Sequence, residues 1–250
     1  MSWLDRILAT PLVGIGSQAW IGFPHGIWSV LEKGIAGPWG ANAGISFPNA
    51  QNQTVLRINR NNGIIFDLDM NNVAASYSYR VNFKEVAGKF PDLQRPEHFD
   101  RYTELLKLVV DELGGFLKLP GHPADRHLLR IGVVADCEMA ISEIPPGVER
   151  LMDDLRGSYG PGLESAALQL IVRLATDERH VDRCIYHLAA SPAAPETTVR
   201  LRMDWQRAWQ PDLRVTSSSI MEQVKLCAGL AETHFEAFGS GEEDADESDA

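Results

Sequence analysis

HLLRIGVVADCEMAI, residues 127–141, contains the longest clean alternation of apolar and other residues in this chain of 250 residues. Every second position, beginning at Leu129, is apolar, and the positions between them include Arg130, Asp136 and Glu138. Successive side chains of a strand point to opposite faces, so the pattern predicts a strand whose odd-numbered side chains face a core. The segments on its two sides resemble each other in their order of elements.

The segment before this strand predicts three strands followed by a helix. Residues 54–83 alternate in three runs, which is typical of a three-stranded antiparallel meander. The first turn is Asn61-Asn62-Gly63, because Asn and Gly tolerate the positive φ that tight hairpins require. Pro96 then stands where a helix can begin, and apolar residues recur every three or four positions as far as Phe116, so we expect a long amphipathic helix.

The same order returns after the central strand. Apolar residues alternate in three further runs, which lie at 166–174, 184–188 and 199–205. Residues 217–238 then carry an apolar stripe with helical spacing and predict a second long amphipathic helix. The halves 54–117 and 163–238 therefore read as a pseudo-duplicated pair.

Strands that come in antiparallel runs, rather than alternating singly with helices, indicate an α+β fold. We expect an antiparallel sheet, or sheets, made from the two meanders and the central strand, with both helices packed on it. Residues 1–50 form a Gly/Trp-rich N-terminal arm in this interpretation, and residues 51–238 form the α+β domain. The acidic residues 239–250 have too few apolar side chains to fold, so we expect a disordered tail.

Composition limits the classes of function. The net charge is −11, and six of the acids lie in the tail. The mildly acidic remainder argues against broad nucleic-acid binding, for which attraction to phosphate is dominant. Three cysteines within apolar patterns predict reduced, buried thiols and a cytoplasmic protein. The N-terminal residues do not resemble a signal peptide, and no apolar run is long enough to span a membrane, so we expect no membrane association.

Two short motifs are too incomplete to predict a cofactor or a metal, and we expect neither. Gly14-Ile15-Gly16 begins a dinucleotide-loop pattern without the strand and helix that such a loop needs. Asp67-Leu68-Asp69 begins a calcium-loop pattern that lacks its later ligands. The loop from His122 to His127 places two imidazoles and Asp125 close together, so it is where an enzyme with a spatially assembled site would have its acid–base groups.

Two groups of residues are candidate binding surfaces. Arg173, Arg200 and Arg202 fall on the non-apolar face of the second meander and would form a basic patch for an acidic peptide, a nucleic acid or the tail. Tryptophans of the N-terminal arm would pack either on the main sheet or on another subunit, since tryptophan contributes large contact areas at interfaces. These tryptophans are Trp20, Trp28 and Trp39.

The order of elements over residues 54–238 resembles that of SecB-like proteins and of an uncharacterised bacterial family of similar length. The likeness rests on Arg130-Ile131-Gly132-Val133, which follows a long helix, and on a last helix with His234 and Phe238 near its end. The resemblance implies an antiparallel-sheet protein that binds other polypeptides as an oligomer.

These observations favour a non-enzymatic, cytoplasmic bacterial protein that binds a protein partner or itself, as a SecB-like chaperone or a subunit of a complex. We expect a homo-oligomer. One alternative is an enzyme whose site assembles near residues 122–127. Another is a component of a nucleic-acid-associated assembly, related to defence or to phage, that uses the local basic face.

Overall fold

The computed structural model describes most of the sheet and its long helices. The described residues are 2–7, 9–18, 23–35, 37, 40, 43–46, 56–79, 82–84, 92–94, 101–122, 125–145, 149, 157, 167–190 and 198–240. The helices are α1 (Trp3–Arg6), α2 (Phe23–Val30), which continues into a π-helical turn, α3 (Tyr102–Leu117) and α4 (Ser217–Ser240). The strands are β1 (Thr10–Ser17), β2 (Gly44–Ser46), β3 (Leu56–Asn59), β4 (Ile64–Leu68), β5 (Asn72–Tyr77), β6 (Asn82–Lys84), β7 (Asp92–Gln94), β8 (Asp125–Ala140), β9 (Ala167–Thr176), β10 (His180–Ala190) and β11 (Thr198–Thr216).

One large antiparallel sheet of nine strands dominates the molecule, and the α+β class is confirmed. The strand order is β2-β3-β4-β5-β1-β8-β11-β10-β9, while β6 and β7 form a separate pair. Strand β1 lies in the middle of the sheet, although residues 1–50 were expected to form an arm outside it. The sequence did not predict β1 because glycines interrupt its alternation. Gly14 and Gly16 occupy its open face, while Val13 and Ile15 are buried on the other face.

The central strand is confirmed as β8, which pairs with β1 and β11. Its odd-numbered side chains from Ile131 to Met139 are buried as expected. Leu129 is instead 40% exposed, and Leu128 is fully buried. The pairing register with β1 shifts at this point, where Gly16 faces Arg130 and the next residue of β1 faces Leu128. Leu129 is the extra residue on β8 at this shift. It reverses the alternation of buried and exposed side chains, which is the usual effect of a β-bulge.

The two long helices cover the centre of one face of the sheet. Helix α3 packs on β1 and β5, α4 packs on β8 and β11, and the two helices touch each other. The Phe66 and Phe116 rings, 5.0 Å apart between centroids, join β4 to α3. At the start of α3, the backbone N–H of Tyr102 donates to Asp5 Oδ1 over 2.9 Å, which satisfies one of the unpaired donors of a helix N-terminus. The helices leave the outermost strands of the sheet less covered than its centre.

Several expected boundaries change. Helix α3 begins at Tyr102, and residues 95–100, where Pro96 was expected to begin it, lie outside the described residues. Strand β11 continues to Thr216 through a cis peptide bond between Gln210 and Pro211, far beyond the predicted end at Trp205. The turn at Gly63 is confirmed: its φ is 86°, and it joins β3 to β4. Most of the short helix expected after Pro145, and the tail from residue 241 onward, lie outside the described residues.

The three cysteines are confirmed as free and buried, at Cys137, Cys184 and Cys227. Within the described part of the chain, no helix combines the length and apolar character needed to cross a membrane.

Candidate protein-binding edge

Strand β9 is the last strand of the sheet and exposes an apolar surface. It pairs with β10 on one side, and no described strand pairs with its other side. Its exposed fractions are 39% for Leu170, 63% for Ile171, 41% for Val172 and 36% for Leu174. These are four of the nine large hydrophobic side chains that are exposed among the described residues. Contiguous exposed apolar surface is uncommon in monomeric proteins and marks interaction sites.

The exposure of β9 follows from its distance from the helices. Leu170 lies opposite Tyr186 and Val172 lies opposite Cys184, and both partners on β10 are buried on the helix side of the sheet. Helix α4 packs on β8 and β11, however, so β9 extends beyond the main helix cover. Ile171 alternates with its neighbours and therefore points to the open face of the sheet. The strand consequently exposes apolar side chains on the helix side and one apolar side chain, Ile171, on the open face.

Helix α4 contributes a second exposed apolar row on the side of β10. Leu226 and Leu230 are 48% and 40% exposed, and with His234 they form one i, i+4 row of the helix. His234 Nε2 lies 2.5 Å from the hydroxyl oxygen of Tyr186 on β10, so the row runs along the β10 side of α4. Burial raises the pKa of Tyr186, which keeps this hydroxyl protonated. We call the exposed side chains of Leu170, Ile171, Val172, Leu174, Leu226 and Leu230 the edge surface.

Arg173, one of the three predicted basic residues, belongs to this edge. It is exposed on β9 and lies directly opposite Arg183 of β10. Two like charges opposite each other in a sheet are unfavourable. The Arg183 guanidinium donates from Nε and Nη2 to Gln206 Oε1 over 3.1 and 2.8 Å. Arg173 therefore offers hydrogen-bond donors beside the apolar side chains of β9.

Arg200 and Arg202 do not join Arg173 in one basic patch. The Arg200 guanidinium donates from Nε and Nη2 to the two carboxylate oxygens of Asp136 over 2.9 and 2.6 Å. This paired geometry compensates its charge and raises the pKa of Arg200. Arg202 is half-buried and lies between Asp136 and His187 in the register of the neighbouring strands. The expected patch is a mixture of cations and carboxylates.

A shallow cavity of about 550 Å³ lies on the open face, where three glycines leave the backbone uncovered. Gly14 lies opposite Gly132. A Cβ atom on Gly16 would lie only 2.7 Å from Cγ of Arg130, so that position needs glycine for the arginine to lie across the strand. Burial raises the pKa of the nearby Asp204 carboxyl, although a 2.9 Å hydrogen bond from Gln206 Nε2 lowers it in part. The lining mixes apolar side chains such as Leu12 and Val134 with groups of both charges such as Asp69 and Arg130, which suits a solvated sheet face.

The His122–His127 loop divides between different partners. The His122 ring packs against the Phe116 ring with centroids 4.7 Å apart. His127 Nδ1 instead lies 2.6 Å from Asp212 Oδ2, which also accepts a hydrogen bond from Gln18 Nε2 over 2.8 Å. The Asp125 side chain lies outside the described residues. His127 and Asp212 are hydrogen-bonded on an exposed part of the molecule, and this contact is what the enzyme hypothesis can use. No group of three or more metal-binding side chains occurs among the residues that the structure describes.

The predicted tryptophan surface stays a prediction. Trp20 and Trp39 lie outside the described residues, and Trp28 lies in α2 with its side chain outside them. Trp3, which was not singled out as an interface residue, is buried and packs edge-on against Phe238 with centroids 6.1 Å apart.

Alternation alone predicts an ordinary core strand at β9, so it does not identify the exposed edge. The sequence carries one signal that could have found it. Leu170-Ile171-Val172 places three apolar residues in succession, so a strand here cannot turn one wet face to solvent. Such a run is typical of a strand covered on both faces, either by its own chain or by another.

Comparisons with known proteins leave the family open. No family model matches the sequence, and no curated protein matches it. The fold is distantly similar to the solved structure of the rolling circle replication initiator protein from Geobacillus stearothermophilus, with 7% sequence identity and a TM-score of 0.30. The similarity covers 88% of this chain and 78% of that chain. Likeness at this level carries no argument about function.

Proposed function

We propose that this chain is a non-enzymatic protein that works by binding polypeptide at the β9 edge of its sheet. The observation that carries the proposal is the exposed apolar strand, with Leu170, Ile171, Val172 and Leu174 accessible together. An unpaired edge strand presents a row of backbone N–H and C=O groups to a second strand. Backbone hydrogen bonds then supply affinity, and alternate side chains supply specificity.

The edge surface gives a bound strand apolar contacts on both sides. On the helix side, Leu170 and Val172 of β9 are exposed beside β10, and the Leu226–Leu230 row lies on the β10 side of α4. On the open side, Ile171 and Arg173 offer one apolar and one charged contact. A bound segment with apolar residues at alternate positions fits this arrangement, as in the SecB-like chaperone or complex subunit that the element order suggests.

The sheet also supports a finer proposal about its origin. Each half has a first strand, three further strands that pair in chain order, and a long helix. In one half these are β1, then β3–β5, then α3. In the other half they are β8, then β9–β11, then α4. In both, the last strand of the three returns to pair with the first, as β5 does with β1 and β11 with β8. We infer that the two predicted meanders are related halves joined through the antiparallel pair of β1 and β8.

The two alternative functions have weaker support. Binding of a nucleic acid needs available positive charge, and the Arg200 charge is compensated by Asp136. A cysteine nucleophile is disfavoured because burial raises the pKa of Cys184 and of Cys227 to about 12, which leaves almost no thiolate at neutral pH. His127 with Asp212 remains the place where an enzymatic function would be tested.

A strand probe tests the proposal. A fluorescent peptide of residues 167–176 is titrated with the full-length chain, at chain concentrations where light scattering shows a monomer, and anisotropy is measured. We expect saturable binding that weakens at least tenfold in Ile171→Lys and is unchanged in Ile45→Lys, on the opposite edge strand β2. The same peptide with Ile171→Pro is the control probe, since proline removes a donor from the strand. Absence of saturable binding to the wild-type chain would contradict the proposal.

A further inference from the structure

We infer that the strand that occupies the β9 edge is β9 of a second copy of this chain, paired antiparallel about Ile171. The inference rests on the proposed function and names its partner. It would join the two nine-stranded sheets into one continuous sheet with a two-fold axis at Ile171.

The sequence of β9 is self-complementary about this residue. Residues 167–175 read ALQLIVRLA, and the same kinds of residue appear in the same order in both directions. Antiparallel pairing about Ile171 sets Leu170 opposite Val172, so aliphatic side chains meet aliphatic side chains. The regular part of this pairing ends at Leu174, where a β-bulge shifts the register between β9 and β10. Cross-strand apolar pairs of this kind are a main source of stability in sheets.

The charged position is matched as well. In this register Gln169 lies opposite Arg173 of the other copy, so the amide oxygen can accept a hydrogen bond from the guanidinium. Arg173 is the only charged residue of β9. The two copies of Arg173 stand four residues apart along the paired strands, or about 14 Å at the usual rise per residue. That separation exceeds the screening length at physiological salt, so repulsion between them is small.

Neighbouring registers lose this match. A shift by one residue would pair the helix side of one copy with the open face of the other, because the side-chain period of a strand is two. A shift by two residues pairs Arg173 with Ile171 or with Ala167 and leaves the guanidinium without an acceptor side chain. The register about Ile171 alone keeps the helices of both copies on one side and satisfies Arg173.

Helix α4 adds to the same contact. With both copies on one side of the joined sheet, the rows containing Leu226 and Leu230 would border an apolar valley. Its floor would be formed by Leu170, Val172 and their counterparts in the second copy. One symmetric contact therefore covers β9 and borders the exposed leucines of α4, as expected of an isologous dimer.

Cysteine cross-linking tests both the partner and the register. Directly opposed residues of an antiparallel pair have Cα atoms about 4.5–5.5 Å apart, within the range that a disulfide spans. We expect Ile171→Cys to form a disulfide-linked dimer under mild oxidation with oxidised glutathione. Gln169→Cys, whose copies would stand about 14 Å apart along the strands, is the matched control and should cross-link at least tenfold more slowly. The wild-type chain should not cross-link, because its three cysteines are buried.

The outcomes separate this inference from the proposed function. Preferential cross-linking at Ile171→Cys supports the two-fold dimer. Equal cross-linking at both positions, or none at either, overturns it. If the strand peptide binds but Ile171→Cys does not cross-link, the edge accepts polypeptide and the second copy is not its occupant. If neither result is obtained, the inference and the proposed function both fail.

Discussion

The two edges of the nine-stranded sheet differ sharply in length and in chemistry. Strand β2 has three residues, Gly44–Ser46, with one large apolar side chain, Ile45, that is 42% exposed. Strand β9 has ten residues, four exposed large apolar side chains and a single charge. A short edge strand is a common way to avoid pairing with another chain. One edge is therefore short with a single exposed apolar side chain, while the other is long and apolar, as the proposed binding of a strand requires.

The ion pairs next to the two edges differ in how far their side chains are exposed to solvent. Next to β2, Arg57 of β3 pairs with Asp67 of β4, with N–O distances of 2.6 and 2.8 Å, and both side chains are partly exposed. Behind β9, Arg207 of β11 pairs with Asp182 of β10 over 2.7 and 2.6 Å, and both side chains are buried on the helix side. The buried pair joins β11 to β10, the strand on which β9 rests.

The largest expected effect comes from breaking the buried pair. Asp182→Asn leaves the Arg207 charge buried without its anion, so we expect the free energy of unfolding to fall by about 3–5 kcal/mol. Asp67→Asn, at the exposed pair, should cost about 1 kcal/mol or less, because solvent screens that interaction. Urea denaturation followed by circular dichroism measures both values. Equal losses in the two variants would show that the edges are supported alike.

The double variant Asp182→Leu with Arg207→Met is the control for this explanation. It removes both charges together and fills the site with apolar atoms, so most of the loss should be recovered. A double variant as unstable as Asp182→Asn would mean that packing, rather than an unpaired charge, sets the cost.

A smaller effect is expected at the hairpin of the β2 side. Gly63 has φ of 86°, and a Cβ atom there would lie 2.9 Å from Cε2 of Tyr77. Gly63→Ala should therefore destabilise the fold by about 1–2 kcal/mol, the cost of a left-handed conformation for a residue with a side chain. If the two edges act independently, binding of the strand peptide to β9 should be unchanged in this variant. If Gly63→Ala also weakened binding of the strand peptide, at a temperature where the variant is folded, the two edges would not be independent.

The smallest effect is expected on the open face between the edges. Burial raises the pKa of Asp204, so the folded state favours the protonated carboxyl. Asp204→Asn removes the cost of a buried charge and should stabilise the fold slightly at neutral pH. The gain should be full above the folded-state pKa and disappear as pH falls below the unfolded value of about 3.9, because the wild-type carboxyl is then protonated in both states. Thermal unfolding at several pH values measures the difference, and a gain that grows on acidification would contradict this assignment.

Much of the fold could be predicted because periodicity reports which face is buried. The alternation of β8, the turn at Gly63 and the stripes of α3 and α4 all identify real elements. Periodicity fails where side chains are missing or the register changes. Glycines in β1 removed the alternation that would have predicted it. The bulge at Leu129 exchanged the buried and exposed positions at one end of β8.

The candidate site was predicted less well than the fold. Alternation correctly put Arg200 on the polar face, but it could not tell that Asp136 of the neighbouring strand compensates its charge. That information depends on which strands are neighbours and in which register. The position of β9 at the edge depends on strand order as well, and an apolar strand at the centre of a sheet has a similar sequence.

Sedimentation equilibrium of three proteins tests the central claim most directly. The wild-type chain, Ile171→Lys and Ile45→Lys are compared over a range of micromolar concentrations. We predict a reversible dimer for the wild-type chain and for Ile45→Lys. We predict at least a tenfold weaker dimer for Ile171→Lys, because two lysines would oppose each other at the two-fold axis. A wild-type chain that stays monomeric throughout, or a dimer that Ile171→Lys leaves intact, would contradict the account.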